Sequence, residues 1–168
     1  MQLSRKPVTP EQACLKMADL CSRSEQCEAD ISKKLIRMGL NPLQRKEVMD
    51  YLKEERYIDN RRYACCFARD KARFSSWGPL KIKASLIAHH ISANDIREAL
   101  ESVDPEIWED GLMKSAISKS RNLNLSGQDG REDRIKLYRF LLGRGFRSAE
   151  AVKAVRKMRD NQTNEDEE

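Results

Sequence analysis

Apolar positions along this chain recur with the spacing of helices. Cys27, Ile31, Leu35 and Met38 fall at i, i+4, i+8 and i+11, and Gly39-Leu40 closes the run as a glycine C-cap does. Val48 with Leu52, Ile82 with Leu86, and Ile96 with Leu100 and Val103 mark further helical faces. Ile135, Tyr138 and Leu142 follow, then Val152, Val155 and Met158. No run alternates with period two and no Asn-Gly hairpin turn occurs, so the pattern predicts an all-α chain. Prolines mark the starts. Thr9-Pro10, Asn41-Pro42 and Asp104-Pro105 each set a capping side chain before a proline, whose missing N–H is harmless at the first helical position. Gln12 and Gln44 stand where capping boxes need them, and Gly78-Pro79 reads as a fourth start.

One short pattern occurs three times. Leu35-Ile36-Arg37-Met38-Gly39-Leu40 matches Leu86-Ile87-Ala88-His89-His90-Ile91 and Leu141-Leu142-Gly143-Arg144-Gly145-Phe146, at separations of 51 and 55 residues. Twelve positions beyond the last residue of each come Leu52, Val103 and Met158. Such a period in an all-α chain predicts three tandem three-helix, helix-turn-helix-like repeats forming an elongated, curved body. The expected boundaries are an N-terminal tail over 1–10, repeats over 11–58, 59–103 and 104–159, and an acidic disordered tail over 160–168. The stretch NLNLSGQDG, residues 122–130, reads as a mobile loop.

Composition narrows the function. A chain of 168 residues with 39% hydrophobic and 35% charged residues can form one compact domain or a few small modules. A net charge of +5 favours a polyanion or an acidic protein surface as partner. Five cysteines without a C-x-x-C pair, a start without an apolar signal core and no bilayer-length segment lead us to expect a reduced, cytoplasmic chain. The cysteines read as small buried hydrophobes, and no metal or cofactor is expected. No phosphate loop, nucleophile elbow or H-E-x-x-H occurs, so no enzyme is expected.

The segment RYIDNRRYA, residues 56–64, joins the first two copies. Asp59 reads as an N-cap, and Tyr57 and Ile58 as packing of the joint. Past the cap, Tyr63, Phe67 and Phe74 share one helical face, read as core, with Asp70 among them; Trp77 reads as core or anchor. Arg62, Arg69 and Arg73 lie about a quarter-turn away as a basic stripe.

Tyr51-Leu52, Arg56-Tyr57-Ile58-Asp59-Asn60-Arg61-Arg62-Tyr63-Ala64 and Trp77-Gly78-Pro79-Leu80-Lys81-Ile82 with Leu86 resemble the RecX family of bacterial regulatory proteins. The chain departs from that family's signature at Asn60, where the joint carries a second aspartate, and at His89-His90-Ile91, where it carries K-G-I. Histidine there must enter the left-handed region, while Asn60 is expected to cap as aspartate would. The resemblance implies a non-enzymatic, monomeric modulator of the RecA recombinase. It would lie along the RecA filament on single-stranded DNA and suppress ATP hydrolysis, strand exchange and filament growth. The cations assigned to such contacts are Arg62, Arg69, Arg73, Lys81 and Lys83 in the second copy, with Arg144, Arg147, Lys153, Arg156 and Lys157 in the third. The competing reading is an independent, sequence-nonspecific DNA-binding helical protein, because residues 131–159 hold ten basic residues against three acidic ones.

Overall fold

A computed structural model describes residues 8–166, so the ends of both expected tails, 1–7 and 167–168, lie outside the described residues. Those described form nine helices and no strand: α1 (Pro10–Arg23), α2 (Glu28–Arg37), α3 (Pro42–Glu54), α4 (Asn60–Ser75), α5 (Pro79–Ala88), α6 (Ala93–Glu101), α7 (Pro105–Ser120), α8 (Arg131–Gly143) and α9 (Ser148–Asp166). The proline starts are where the capping chemistry places them. Thr9 and Asn41 accept from the backbone N–H of Gln12 and Gln44, whose side chains reach back to the capping residues' own N–H groups. Such caps satisfy N–H groups that the first turn of a helix leaves without partners, each contributing about 1 kcal/mol.

The threefold pattern is a threefold geometry. Leu40, Ile91 and Phe146 donate their N–H groups to the carbonyls of Leu35, Leu86 and Leu141, at 3.3, 3.1 and 3.3 Å. Gly39, His90 and Gly145 stand just before them with φ of 82°, 57° and 92°. This is the Schellman ending, in which a left-handed residue turns the chain and an apolar residue packs back under the helix it has left. Leu40, Ile91 and Phe146 are all buried. So are Leu52, Val103 and Met158, which lie on or just past the third helix of each copy.

Buried residues fall into three clusters in series. The first lies within α1–α3 around Ala13, Ile31, Leu35, Val48 and Leu52. The second lies within α4–α6 around Tyr63, Ala68, Ile82, Leu86 and Ala99. The third lies within α7–α9 around Leu137, Leu141, Phe146 and Ala154. Full burial of a Leu or Ile side chain contributes about 1.5–3 kcal/mol. The clusters interlock at their edges: Cys27, the residue before α2, sits in the second core, and Ile107 and Trp108 of α7 pack against it. Along α4, Ala64, Ala68 and Ala72 are buried. These small residues let α7 cross closely, with Gly111 against Ser76 and Ala72.

Three expectations change here. Phe74 is 78% exposed rather than core. The buried face at the end of α4 follows the Ala64-Ala68-Ala72 line towards α7, and Phe74 is turned away from it. The tail expected to be disordered from 160 continues α9 to Asp166. Its Gln162 side chain accepts from the Leu125 N–H at 2.8 Å and donates to the Leu123 carbonyl at 3.0 Å, which gives the last turns a partner. Those bonds also hold the segment expected to be a mobile loop. Leu125 is fully buried there, and Arg134 donates to the Leu125 and Gly127 carbonyls at 2.7 and 2.9 Å.

Candidate partner-binding surface

The joint between the first and second copies is built from polar groups far apart in sequence. Asp59 caps α4, accepting from the Arg62 N–H at 2.9 Å. Asn60 does not cap its own helix. Its Oδ1 accepts from the Glu28 N–H at 3.0 Å, serving the start of α2, where Cys27 makes no side-chain cap bond. Its Nδ2 donates to Glu28 Oε1 at 3.1 Å, while Lys53 holds the other oxygen at 3.1 Å. The donated bond is one that an aspartate would not make. Arg62 donates to Glu25 at 2.6 Å and reaches the carbonyls of Arg56 and Tyr57. That hydrogen bond raises its already high pKa. Arg62, read as a partner contact, is therefore committed to the joint.

Aromatic residues fill the space beside it. Ile58 and Tyr63 are buried, Tyr57 is half-buried against the first core, and Phe67 and Trp77 are half-buried against the second. The Phe67 ring meets Tyr63 at 5.8 Å and Trp77 at 6.3 Å. His89 joins them: its ring lies 5.9 Å from Tyr63, and Nε2 faces Asp30 of α2 at 3.4 Å. His89 thus bridges two copies rather than decorating a turn, and His90 takes the left-handed conformation expected of it.

At the joint between the second and third copies, two glycines meet. The Gly78 N–H donates to the Arg144 carbonyl at 2.7 Å, and the Leu80 N–H to the Gly145 carbonyl at 3.0 Å. A Cβ on Gly78 would lie 2.3 Å from the Gly145 carbonyl carbon, and one on Gly145 would lie 2.4 Å from the Lys81 Cβ. Arg144 spans the seam, its guanidinium donating to the carbonyls of Ser75 and Ser76 at the end of α4, a site favourable to cations. Lys81 keeps its ammonium 4.4 Å from the Trp77 ring centroid. Arg144, read as a partner contact, serves the seam instead, while Lys81, also read as one, packs its ammonium on Trp77 within the second copy.

The remaining cations of the sequence reading are exposed: Arg69, Arg73, Lys83, Arg147, Lys153, Arg156 and Lys157. They do not form one patch. Arg73 borders a cleft with Asp104, Glu106 and Asp110, whose carboxylates weaken its pull on a phosphate. Lys83 flanks a groove between α5 and α6. Lys153 and Lys157 edge an apolar groove of about 380 Å³ between α7 and α9, floored by Leu112, Met113 and Phe146. Arg156 lies with Arg131, Arg134 and Arg159 around the groove between α8 and α9. Burial raises the Cys14, Cys21 and Cys27 thiols, keeping them protonated and unreactive. Among the described residues no three His, Cys, Asp or Glu side chains gather to hold a metal, and no helix is long and apolar enough to cross a membrane.

A family model for the second three-helix domain of RecX matches residues 59–100, which are α4 to α6 with the Asp59 cap. A regulatory protein RecX of Clostridium botulinum is 32% identical over 124 residues, 74% of this chain. Another, of Halorhodospira halophila, is 29% identical over 136 residues and 81% of each chain. A crystal structure of regulatory protein RecX superposes with a TM-score of 0.75 at 25% identity, covering 88% of this chain and 71% of that one. This chain belongs to the RecX family. RecX from Lactobacillus salivarius, at 17% identity and a TM-score of 0.74, shares the fold. The chain matches 58% of the length of the Clostridium botulinum relative. Its relatives carry the name regulatory protein, and it shares the all-α fold of the RecX structures.

Sequence reasoning missed Glu25, Glu28, Asp30 and Gln162, each acting on a residue more than thirty positions away. The one signal available was Asn60 itself, an amide where the family signature has a carboxylate.

Proposed function

We propose that this protein binds the RecA filament on single-stranded DNA and suppresses RecA ATP hydrolysis, strand exchange and filament growth. The observation that carries the reading is three geometrically equivalent units in series, of which the second and third offer the exposed cations assigned to contact. A filament repeats its surface, so an array of similar units gains several weak contacts at once, and these add through effective concentration. Arg69, Arg73, Lys83, Arg147, Lys153, Arg156 and Lys157 are the cations available for such contacts; Arg62 and Arg144 contribute by keeping the units in register. The reading carries a cytoplasmic location, a monomer and no catalytic residue with it.

The arginines around the α8–α9 groove favour a second reading, direct nonspecific binding to single-stranded DNA. Cosedimentation separates the two. With RecA-coated single-stranded DNA, the protein is expected in the pellet at 0.2 M salt; with bare DNA, retention should collapse steeply between 0.05 and 0.2 M, at about one decade or more. Equal retention on bare DNA at every salt concentration would reverse the choice.

A further inference from the structure

Each copy buries the first of its paired aliphatic residues and exposes the second. Leu35, Leu86 and Leu141 are fully buried, whereas Ile36, Ile87 and Leu142 are 52, 55 and 37% exposed. A cation stands one turn earlier on each helix: Lys33 and Arg139 at i−3, Lys83 at i−4. Two turns earlier come Ala29, Leu80 and Ile135, the last two also exposed. No carboxylate occupies any of these positions in any copy. The acids on these helices are engaged elsewhere or lie outside the row. Glu28 serves Asn60 and Lys53, Asp30 lies near His89 and 3.6 Å from Lys33, and Asp133 accepts from Asn124 and Lys136. Glu132 sits on the first turn of α8, and α5 carries no acid.

Grooves occupy equivalent places in the second and third copies as well. Ile87 and Lys83 line the α5–α6 groove with Arg97 and Leu100. Shifted by the repeat offset, the positions of Lys83, Arg97 and Leu100 become Tyr138, Val152 and Val155, which line the α8–α9 groove. An exposed aliphatic residue standing alone needs no explanation. An aliphatic residue exposed at the same register three times, each time within about one turn of a cation, does.

We infer that this row is the apolar part of the surface that meets the partner, one contact per copy on the second helix of each unit, alongside the exposed cations named above. Each contact takes an apolar side chain ringed by carboxylates on one of several identical protein subunits. The aliphatic residues supply apolar area, which DNA has little use for along its phosphates, and the cations set the sign of the rim. Similar contacts on one chain need identical sites on the partner, as a protein polymer offers. The inference rests on the filament reading above and assigns it a face.

The test replaces Ile36, Ile87 and Leu142 by serine, singly and together, with helicity and urea midpoint measured to confirm folding. Binding to RecA filaments on single-stranded DNA is expected to weaken about fivefold for each single change and beyond a hundredfold for the triple. Lys33→Glu, Lys83→Glu and Arg139→Glu should weaken it as well. A triple variant binding within twofold of the parent overturns this surface while leaving the filament reading intact, and so does a loss confined to one of the three positions. A parent protein that fails to bind the filament removes both. Sedimentation covers the remaining occupant: a parent that self-associates through the row, with a monomeric triple variant, assigns the face to a second copy and overturns the proposal.

Discussion

The three equivalent turns form an internal experiment on backbone strain and crowding. Gly39 and Gly145 both hold left-handed φ, 82° and 92°, yet a Cβ on Gly39 would meet nothing within 4 Å. One on Gly145 would lie 2.4 Å from the Lys81 Cβ and 2.5 Å from the Lys81 nitrogen, both fixed parts of α5. Gly39→Ala should therefore cost only the left-handed penalty of an L-residue, about 1–2 kcal/mol. Gly145→Ala carries the same penalty and must also push the second and third copies apart, adding about 1–3 kcal/mol. The middle copy already bears the penalty, because His90 holds φ of 57°. His90→Gly removes that strain but frees the unfolded chain, for a net gain of about 0.5–1 kcal/mol. Urea unfolding followed by circular dichroism checks the order: His90→Gly above the parent, Gly39→Ala below it and Gly145→Ala lowest. Equal losses for the two alanine variants would refute the close approach at the seam. A loss for His90→Gly would refute the strain.

Asn60→Asp should destabilise the first joint by about 1–2 kcal/mol, since a carboxylate would replace the amide that donates to Glu28; adding Glu28→Gln should restore most of it in the same unfolding assay. Gln162→Ala should expose residues 122–130 to limited proteolysis and fray the end of α9, because both of its bonds into that segment are lost. Burial holds the Tyr63 phenol pKa well above the ordinary value of a tyrosine, about 10. Above pH 10 the unfolded chain releases that proton while the folded chain keeps it, so stability falls as pH rises, and Tyr63→Phe should flatten this slope in urea midpoints measured from pH 9 to 11.

The helix starts and the threefold plan were legible because both are local. A capping box spans four residues, and the Leu-Ile-x-x-Gly-Leu pattern carries its own turn. The joints were not legible. Hydrophobic phase tells which face of a helix turns inward, not which residue waits there, so Arg62 and Arg144 read as free cations until Glu25 and the Ser75 and Ser76 carbonyls stood beside them. Phe74 shows the limit of phase alone. It shares a face with Tyr63 in an ideal helix, but the partner of α4 changes along its length from α6 to α7, and the buried line moves with it. Lys81 and Trp77 were separately noticed in sequence, but only their 4.4 Å contact shows them as one pair beside the seam.

The central claim is tested most directly by RecA ATP hydrolysis on single-stranded DNA, measured with this protein added well below one molecule per RecA. The account predicts that hydrolysis falls with the first additions. It also predicts that Arg69→Glu, whose side chain bonds only within α4 and leaves the joints untouched, weakens the inhibition at unchanged helicity. Hydrolysis that continues at the uninhibited rate, with no protein retained on the filament, would contradict it.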